Sequence, residues 1–207
     1  TYPLLQNERE IVREKLLLAT TDMLRCNTRA VELIEASLWH LALMSNPREV
    51  GSFSSRSFQC LPGLALFSNP AISIAPSYAI EEALLHEAVH SFLFFAEHPT
   101  ARLLSDSGLG KIRSPWTGAL LDLHTAAHAL IIWLVLADYW TQRCLVTEIE
   151  RSQEAYRFAM QRIEFIQAGF NSVNYKSFST AIVGSVTSGP RYLINALINR
   201  CLLNKNV

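Results

Sequence analysis

His86-Glu87-Ala88-Val89-His90 is an HExxH pentapeptide that lies inside a long apolar run. Residues four apart share one face of a helix, so His86 and His90 can present two imidazoles to one metal ion. Glu87 directly follows His86, where it can handle a proton on a metal-bound ligand. The stretch therefore predicts a metal-binding helix around which the rest of the fold is organised.

The part of the chain before this helix combines helical and strand-like patterns. Apolar residues at helical spacing predict a helix from Glu8 to about Met44, with a break near Asn27-Thr28. Two short apolar pieces, Leu64 to Phe67 and Ala71 to Ala75, predict strands that lead into the HExxH helix.

The part after this helix has helical patterns only. We predict a helical region from Gly118 to about Ala168 with a break near Tyr139 to Arg143, a loop over 169–180, and two final helices at Thr180 to Val186 and Arg191 to Leu203. The expected fold is mainly α, a helical domain with one small β element preceding the metal-binding helix.

Length and composition predict one compact domain over residues 1–207. We divide it into a helical N-terminal part (1–50), a metal-binding core (60–145) and a helical C-terminal part (146–207). Half of the residues are apolar and 17% are charged, which is typical of a globular chain. Lys plus Arg equals Asp plus Glu, 18 of each, so no net charge attracts nucleic acid or an anionic membrane.

Localisation is expected to be cytoplasmic. We see no secretory signal pattern in the sequence, and the longest apolar run, Ala126 to Ala137, is short for a bilayer span. We therefore expect no membrane partner.

Two histidines hold a metal weakly, so a third protein ligand is needed. Metzincin-type proteases continue as HExxHxxGxxH, but Leu93 and Ala96 stand where the glycine and third histidine belong. No glutamate lies between Glu97 and Glu148. Glu97 is seven residues past His90, about 10 Å along a helix, which is too far to share its ion. We therefore interpret Glu97 as a surface carboxylate.

The remaining donors are His124 and His128, again four apart on a predicted helix. One of these imidazoles would complete a three-histidine site, and both would give four histidines on two facing helices. A three-histidine site leaves three positions open on an octahedral metal, which suits iron that binds a bidentate co-substrate and dioxygen.

Four segments together resemble a known family. They are Leu61 to Phe67, Leu84 to His90, Ser114-Pro115-Trp116-Thr117-Gly118, and His128 followed by Ala137-Asp138-Tyr139-Trp140. They resemble the HExxH peptide-modification proteins, which are HExxH-type, 2-oxoglutarate-dependent peptide β-hydroxylases of ribosomally made, modified peptides. The resemblance covers roughly Pro62 to Trp140.

The resemblance implies Fe(II) and 2-oxoglutarate as cofactors and His128, rather than His124, as third ligand beside His86 and His90. It implies hydroxylation at the β-carbon of a residue in a peptide substrate, with succinate and carbon dioxide as co-products. A leader-peptide-binding partner is compatible with this function. Glu87 would then orient a ligand or a substrate amide, and Asp122 would hydrogen-bond a ligand histidine.

The chain differs from the family at two positions where many members carry arginines that are candidates for binding the co-substrate. This chain has Thr117 and Leu121 at these positions. The distal carboxylate of 2-oxoglutarate still needs a cation, preferably a bidentate one. The candidates for this role are Arg113, Arg143 and Arg191. Trp116, at a loop-to-helix junction, is the candidate for lining the substrate cleft.

Two other functions fit the same motif. In a zinc metallopeptidase, Glu87 would be the general base on a zinc-bound water. In a non-catalytic helical binding module, the HExxH match would be accidental and no metal would bind.

Overall fold

A computed structural model describes residues 2–49, 51–72, 74–97, 110–150 and 153–185. The chain divides into two compact units, Thr1–Phe95 and Ala96–Val207. The described residues form six α-helices and six short strands, and the predicted mainly α fold is confirmed. The single domain predicted for residues 1–207 stays a prediction.

The first unit contains two packed helices, α1 (Gln6–Cys26) and α2 (Thr28–Ser37). The break predicted between them is confirmed at Asn27. Its backbone N–H donates to the carbonyl of Met23 at 2.8 Å and ends α1. Its side-chain oxygen accepts the N–H of Ala30 at 3.0 Å and caps α2, so this single residue separates the two helices.

A four-stranded sheet follows, in the order β1-β2-β4-β3. Its strands are β1 (Tyr2–Pro3), β2 (His40–Ser45), β3 (Ser54–Ser57) and β4 (Leu64–Ser68). Strand β2 runs parallel to β4, and the other two pairs are antiparallel. The predicted helix to Met44 is therefore wrong beyond Ser37, because the apolar residues of β2 pair with β4 instead of continuing α2.

Of the two predicted strands, only the first is correct. Leu64 to Phe67 lies within β4, whereas the described residues of 71–75 form turns. The ammonium of Lys15 donates to the carbonyls of Pro70 at 3.0 Å and Ile72 at 2.6 Å. These carbonyls are bound to helix α1, so they do not pair with a neighbouring strand.

Helix α3 (Ser77–Glu97) carries the HExxH motif, so the prediction that this motif lies on a helix is confirmed. The hydroxyl of Ser37 donates to the carbonyl of Ala88 at 3.0 Å and attaches α3 to the end of α2. The ring of Phe95 packs on Trp39 at 4.8 Å. Gly63, at φ +87°, lies against both rings, and a Cβ there would approach the Trp39 ring to 3.3 Å.

The second unit contains a small hairpin and three helices. The hairpin pairs β5 (Ile112–Arg113) with β6 (Leu120–Leu121), and the helices are α4 (Leu123–Glu150), α5 (Gln153–Asn171) and α6 (Tyr175–Ser185). Helix α4 packs against both α5 and α6.

Three predictions for the second unit are wrong, and one lies outside the described residues. The helical region predicted from Gly118 begins only at Leu123, because Leu120–Leu121 pairs with β5 as a strand. Helix α4 is continuous through residues 139–143, where we predicted a break, because no glycine or proline interrupts it there. The loop predicted over 169–180 is helical on both sides of a short turn, since α5 ends at Asn171 and α6 begins at Tyr175. The predicted helix at 191–203 falls outside the described residues.

Within the described residues, α4 is the only helix that meets the length and composition expected of a membrane span, over Leu123–Val146. Core helices of globular proteins meet the same criterion. This helix packs on α5 and α6 and carries the buried polar residues His128 and Arg143. The expected cytoplasmic location and the expected absence of a membrane partner stay predictions.

Candidate metal centre

The HExxH histidines lie one turn apart on α3 in the first unit. The rings of His86 and His90 are half-buried, and their centroids are 5.0 Å apart at an interplanar angle of 58°. Two imidazoles bonded to one ion at about 2.0–2.1 Å have ring centres roughly 4.5–5.2 Å apart for angles of about 90–110° at the metal. The spacing of the two rings therefore lies within the range for two imidazoles on one ion.

Glu87 points away from solvent and towards the sheet. It is only 2% exposed, and its Oε1 accepts a hydrogen bond of 2.6 Å from the hydroxyl of Ser55 on β3. Its Oε2 is buried and has no hydrogen-bond partner among the described residues. This contact with Ser55, which the sequence analysis did not predict, attaches the HExxH helix to strand β3.

A second group of side chains that could hold a metal ion lies in the second unit. Oε2 of Glu97 is 2.7 Å from Nε2 of His124 and 3.3 Å from Nε2 of His128. The ligand atoms of the three residues all lie within 4.8 Å of one another. The side chain of Glu97 is 12% exposed and that of His128 is 2% exposed. The interpretation of Glu97 as a surface carboxylate is therefore wrong.

The two imidazoles of this group are in van der Waals range of each other. The ring centroids of His124 and His128 are 4.3 Å apart at an interplanar angle of 40°. This separation lies just below the lower end of the range expected for two imidazoles on one ion.

Glu97 is a carboxylate in a charged, partly buried environment. Burial alone would raise its pKa, but hydrogen bonds with His124 and His128, and the charges of both imidazoles, outweigh burial and lower the pKa to about 2. The same hydrogen bond with Glu97 raises the pKa of His124 above its usual value, although burial opposes this shift. Glu97 is therefore ionised at neutral pH and favours a cation beside it.

Asp122 fixes the start of the helix that carries both histidines. Its Oδ1 accepts the backbone N–H of Thr125 at 2.9 Å, and its Oδ2 accepts the hydroxyl of the same residue at 2.8 Å. These hydrogen bonds lower the pKa of Asp122 despite partial burial. Asp122 is thus the N-cap of α4 rather than the hydrogen-bond partner of a histidine that we predicted.

No model of a known protein family and no curated protein matches this sequence. The resemblance to the HExxH peptide-modification proteins therefore rests on the motifs quoted above. The grouping of His86 and His90 from the first unit with His128 from the second stays a prediction.

The three candidate arginines differ sharply. Arg113 is exposed, and its Nη1 donates to the carbonyl of Gly118 at 2.7 Å. Arg143 is 3% exposed and lies on α4 fifteen residues beyond His128, about 22 Å along the helix axis. That distance exceeds the combined reach of an arginine side chain and a five-carbon dicarboxylate. The prediction of Arg143 as partner of a co-substrate at His128 is therefore wrong, and Arg191 lies outside the described residues.

Trp116 is a packing residue of the second unit. It is 8% exposed, and its indole N–H donates to the carbonyl of Ile166 at 3.0 Å. Aromatic rings surround it, those of Trp133, Phe170, Tyr175 and Phe178. This enclosure holds the hairpin against α4, α5 and α6, so the substrate-lining role predicted for Trp116 has no support from its position.

Proposed function

We propose that the protein is an Fe(II)- and 2-oxoglutarate-dependent oxygenase that hydroxylates the β-carbon of a residue in a ribosomally made peptide. The observation that carries the proposal is the half-buried pair of His86 and His90, whose ring spacing suits a shared ion. The motif resemblance between residues 62 and 140 supplies the reaction class and the peptide substrate.

His86, His90 and His128 would hold the iron. Imidazole nitrogen is a preferred donor for iron and zinc, and three neutral ligands leave room for a bidentate co-substrate. When bound, iron would supply the activation of dioxygen. His128 is 1% exposed, so its imidazole lies out of contact with bulk water.

The environment of Glu87 supports an oxygenase over a zinc peptidase. A general base must lie within hydrogen-bond reach of the water that it activates. Glu87 instead accepts a hydrogen bond from Ser55 and is almost fully buried against the sheet. In the proposed function, Glu87 positions the turn of α3 that carries both histidines.

The co-substrate would meet a cation from outside α4. Arg113 and Arg191 stay candidates for this role, since Arg143 lies too far along the helix from His128. A bidentate guanidinium is the partner that best matches the distal carboxylate of 2-oxoglutarate.

The first experiment uses 2-oxoglutarate itself as probe. Metal-free protein is loaded with Fe(II) under anaerobic conditions, and 2-oxoglutarate is added. Chelation of Fe(II) by the 2-oxo acid should produce a visible charge-transfer absorption, and dioxygen should then yield succinate. Succinate added in place of 2-oxoglutarate is the control for the absorption.

Substitutions of the candidate residues distinguish the oxygenase from the zinc peptidase. His86→Asn and His90→Asn should abolish the absorption, whereas His40→Asn, which removes an exposed histidine, should not. Absence of both absorption and succinate in the unmodified protein would reject the proposal. Stoichiometric zinc, with cleavage of casein that is lost in Glu87→Gln, would instead establish the peptidase.

A further inference from the structure

We propose that Glu97, His124 and His128 form a binding site for a divalent first-row transition metal within the second unit, independent of the HExxH pair. This site goes beyond the proposed function, because two of its three ligands, Glu97 and His124, have no role there. It also gives the carboxylate at the end of α3 a chemical function.

The geometry of the three side chains already approaches that of a coordination sphere. Adjacent ligand atoms around an ion with bonds of about 2.0–2.1 Å are roughly 3.0–3.4 Å apart. The contact between Glu97 and His128, 3.3 Å, lies in this range, and that between Glu97 and His124, 2.7 Å, is slightly shorter. A small outward movement of the half-exposed His124 ring would admit an ion.

The second oxygen of Glu97 gives independent support. Oε1 is buried and has no hydrogen-bond partner among the described residues. An unsatisfied buried carboxylate oxygen is costly, and this cost is removed when the oxygen binds a metal or a metal-bound water. A bound cation would therefore give Oε1 of Glu97 the partner that it lacks among the described residues, while Oε2 already contacts both imidazoles.

The ligand set selects the class of metal. Two imidazoles and one carboxylate are the ligands of non-haem iron sites and of several catalytic zinc sites, and they leave positions open for further ligands. Magnesium and calcium prefer all-oxygen ligands, so they should compete poorly. Iron, cobalt and zinc are the expected occupants.

Helix geometry explains why these three residues can act together. His124 and His128 are one turn apart on α4, so both rings emerge from the same face. The N-cap formed by Asp122 fixes the first turn of α4 and therefore the direction of His124. Glu97, from α3, closes the third side of the cluster.

The proposed site and the predicted three-histidine site share His128. Variants of His128 therefore affect both sites. Variants of Glu97 and His124 affect only the proposed site, and variants of His86 and His90 affect only the three-histidine site. The test uses these two sets.

Cobalt titration of the full-length, metal-free protein tests the site, with Co²⁺ as a probe whose visible absorption reports bound ligands. Glu97→Gln keeps the size of the side chain and removes its charge, and His124→Asn removes one imidazole. Each should weaken the binding of one cobalt equivalent by more than about a hundredfold, since even residues that only support metal ligands contribute about ten- to a hundredfold. Glu97→Asp should retain part of the affinity. The exposed His40→Asn is the matched control, and circular dichroism checks the fold of each variant.

The outcomes separate this site from the proposed function. One cobalt equivalent that survives in the double variant His86→Asn, His90→Asn, but is lost when Glu97→Gln is added to that variant, supports the site. In the double variant His86→Asn, His90→Asn, cobalt affinity and stoichiometry that do not change on addition of Glu97→Gln or His124→Asn overturn the site. Complete loss of cobalt in the folded double variant also overturns it, because the site would then depend on the HExxH pair.

Discussion

Glu97 is the side chain whose role sequence reasoning missed. We excluded it because about 10 Å of helix separates it from His90, which is correct but relevant only to an ion at His90. Its partners are instead His124 and His128, 27 and 31 residues later in the chain. The available signal was an acidic residue at the end of an apolar helix together with two histidines four apart. Spacing along the chain cannot show which helix ends meet, since this depends on packing.

Removal of the Ser55 hydroxyl should destabilise the protein through Glu87. The variant Ser55→Ala leaves a carboxylate that is 2% exposed without its 2.6 Å hydrogen bond. An unsatisfied buried polar group costs about 1–3 kcal/mol, and more when it is charged. Urea unfolding measures the loss. Ser54→Ala, at the exposed neighbour on the same strand, should change stability by less than about 0.5 kcal/mol, and equal losses in both variants would contradict the role of the hydrogen bond.

The interaction of Glu97 with His124 should stabilise the metal-free protein only within a pH window. The pKa of Glu97 falls from 4.5 to about 2 on folding, so its contribution is complete above 4.5 and is lost as the pH falls towards 2. The pKa of His124 rises above 6.5, so its contribution is complete below 6.5 and is lost as the pH rises through the higher value.

The stability difference between the unmodified protein and Glu97→Gln should therefore be largest between pH 4.5 and 6.5. Urea unfolding in the presence of a chelator, inside this window and on both sides of it, measures the difference. A difference that does not change with pH would contradict the interaction.

Among the elements, those with strong local signals were predictable. The HExxH helix and the break at Asn27 follow from helical periodicity and from a capping residue. Strand β2 was not predictable, because Leu41 to Met44 is a short apolar run that fits the end of a helix as well as a buried strand. Its pairing with β4 makes this run a strand rather than the end of a helix. That pairing joins residues more than twenty positions apart, so local sequence does not reveal it.

The packing of α5 around Trp116 should require a glycine at position 169, which the indole ring contacts directly. A Cβ on Gly169 would overlap the indole ring, which cannot move away because its N–H is bound to Ile166 and other rings surround it. Gly169→Ala should therefore cost about 1–3 kcal/mol or more through overpacking. Thermal unfolding measures the effect.

Gly184→Ala is the matched control for this packing. It also replaces a helical glycine, but nothing lies within 4 Å of the new Cβ. Because alanine is the better helix former, this variant should gain up to about 1 kcal/mol. A loss of similar size in both variants would show that Trp116 does not restrict Gly169.

At the level of the whole molecule, each compact unit carries its own candidate metal ligands. The first unit contains His86 and His90 on a helix that the sheet supports, and the second contains Glu97, His124 and His128. The sequence predicted the first pair from its motif and the second pair of histidines from its spacing. The carboxylate that joins the second pair was not predicted, because it depends on tertiary contacts alone.

Bound metal should stabilise the folded chain in a way that depends on Glu97 and His124. A ligand at a hundred times its Kd that binds only the folded state adds about 2.7 kcal/mol. For a chain of this size each kcal/mol raises Tm by about 2–4 °C, so saturation with Co²⁺ or Zn²⁺ should raise Tm by roughly 5–10 °C. Chelator should reverse the rise, and Mg²⁺ should produce little of it, because imidazole ligands suit it poorly. Differential scanning calorimetry measures the shift, and a rise of the same size in the double variant Glu97→Gln, His124→Asn would place the stabilising metal elsewhere.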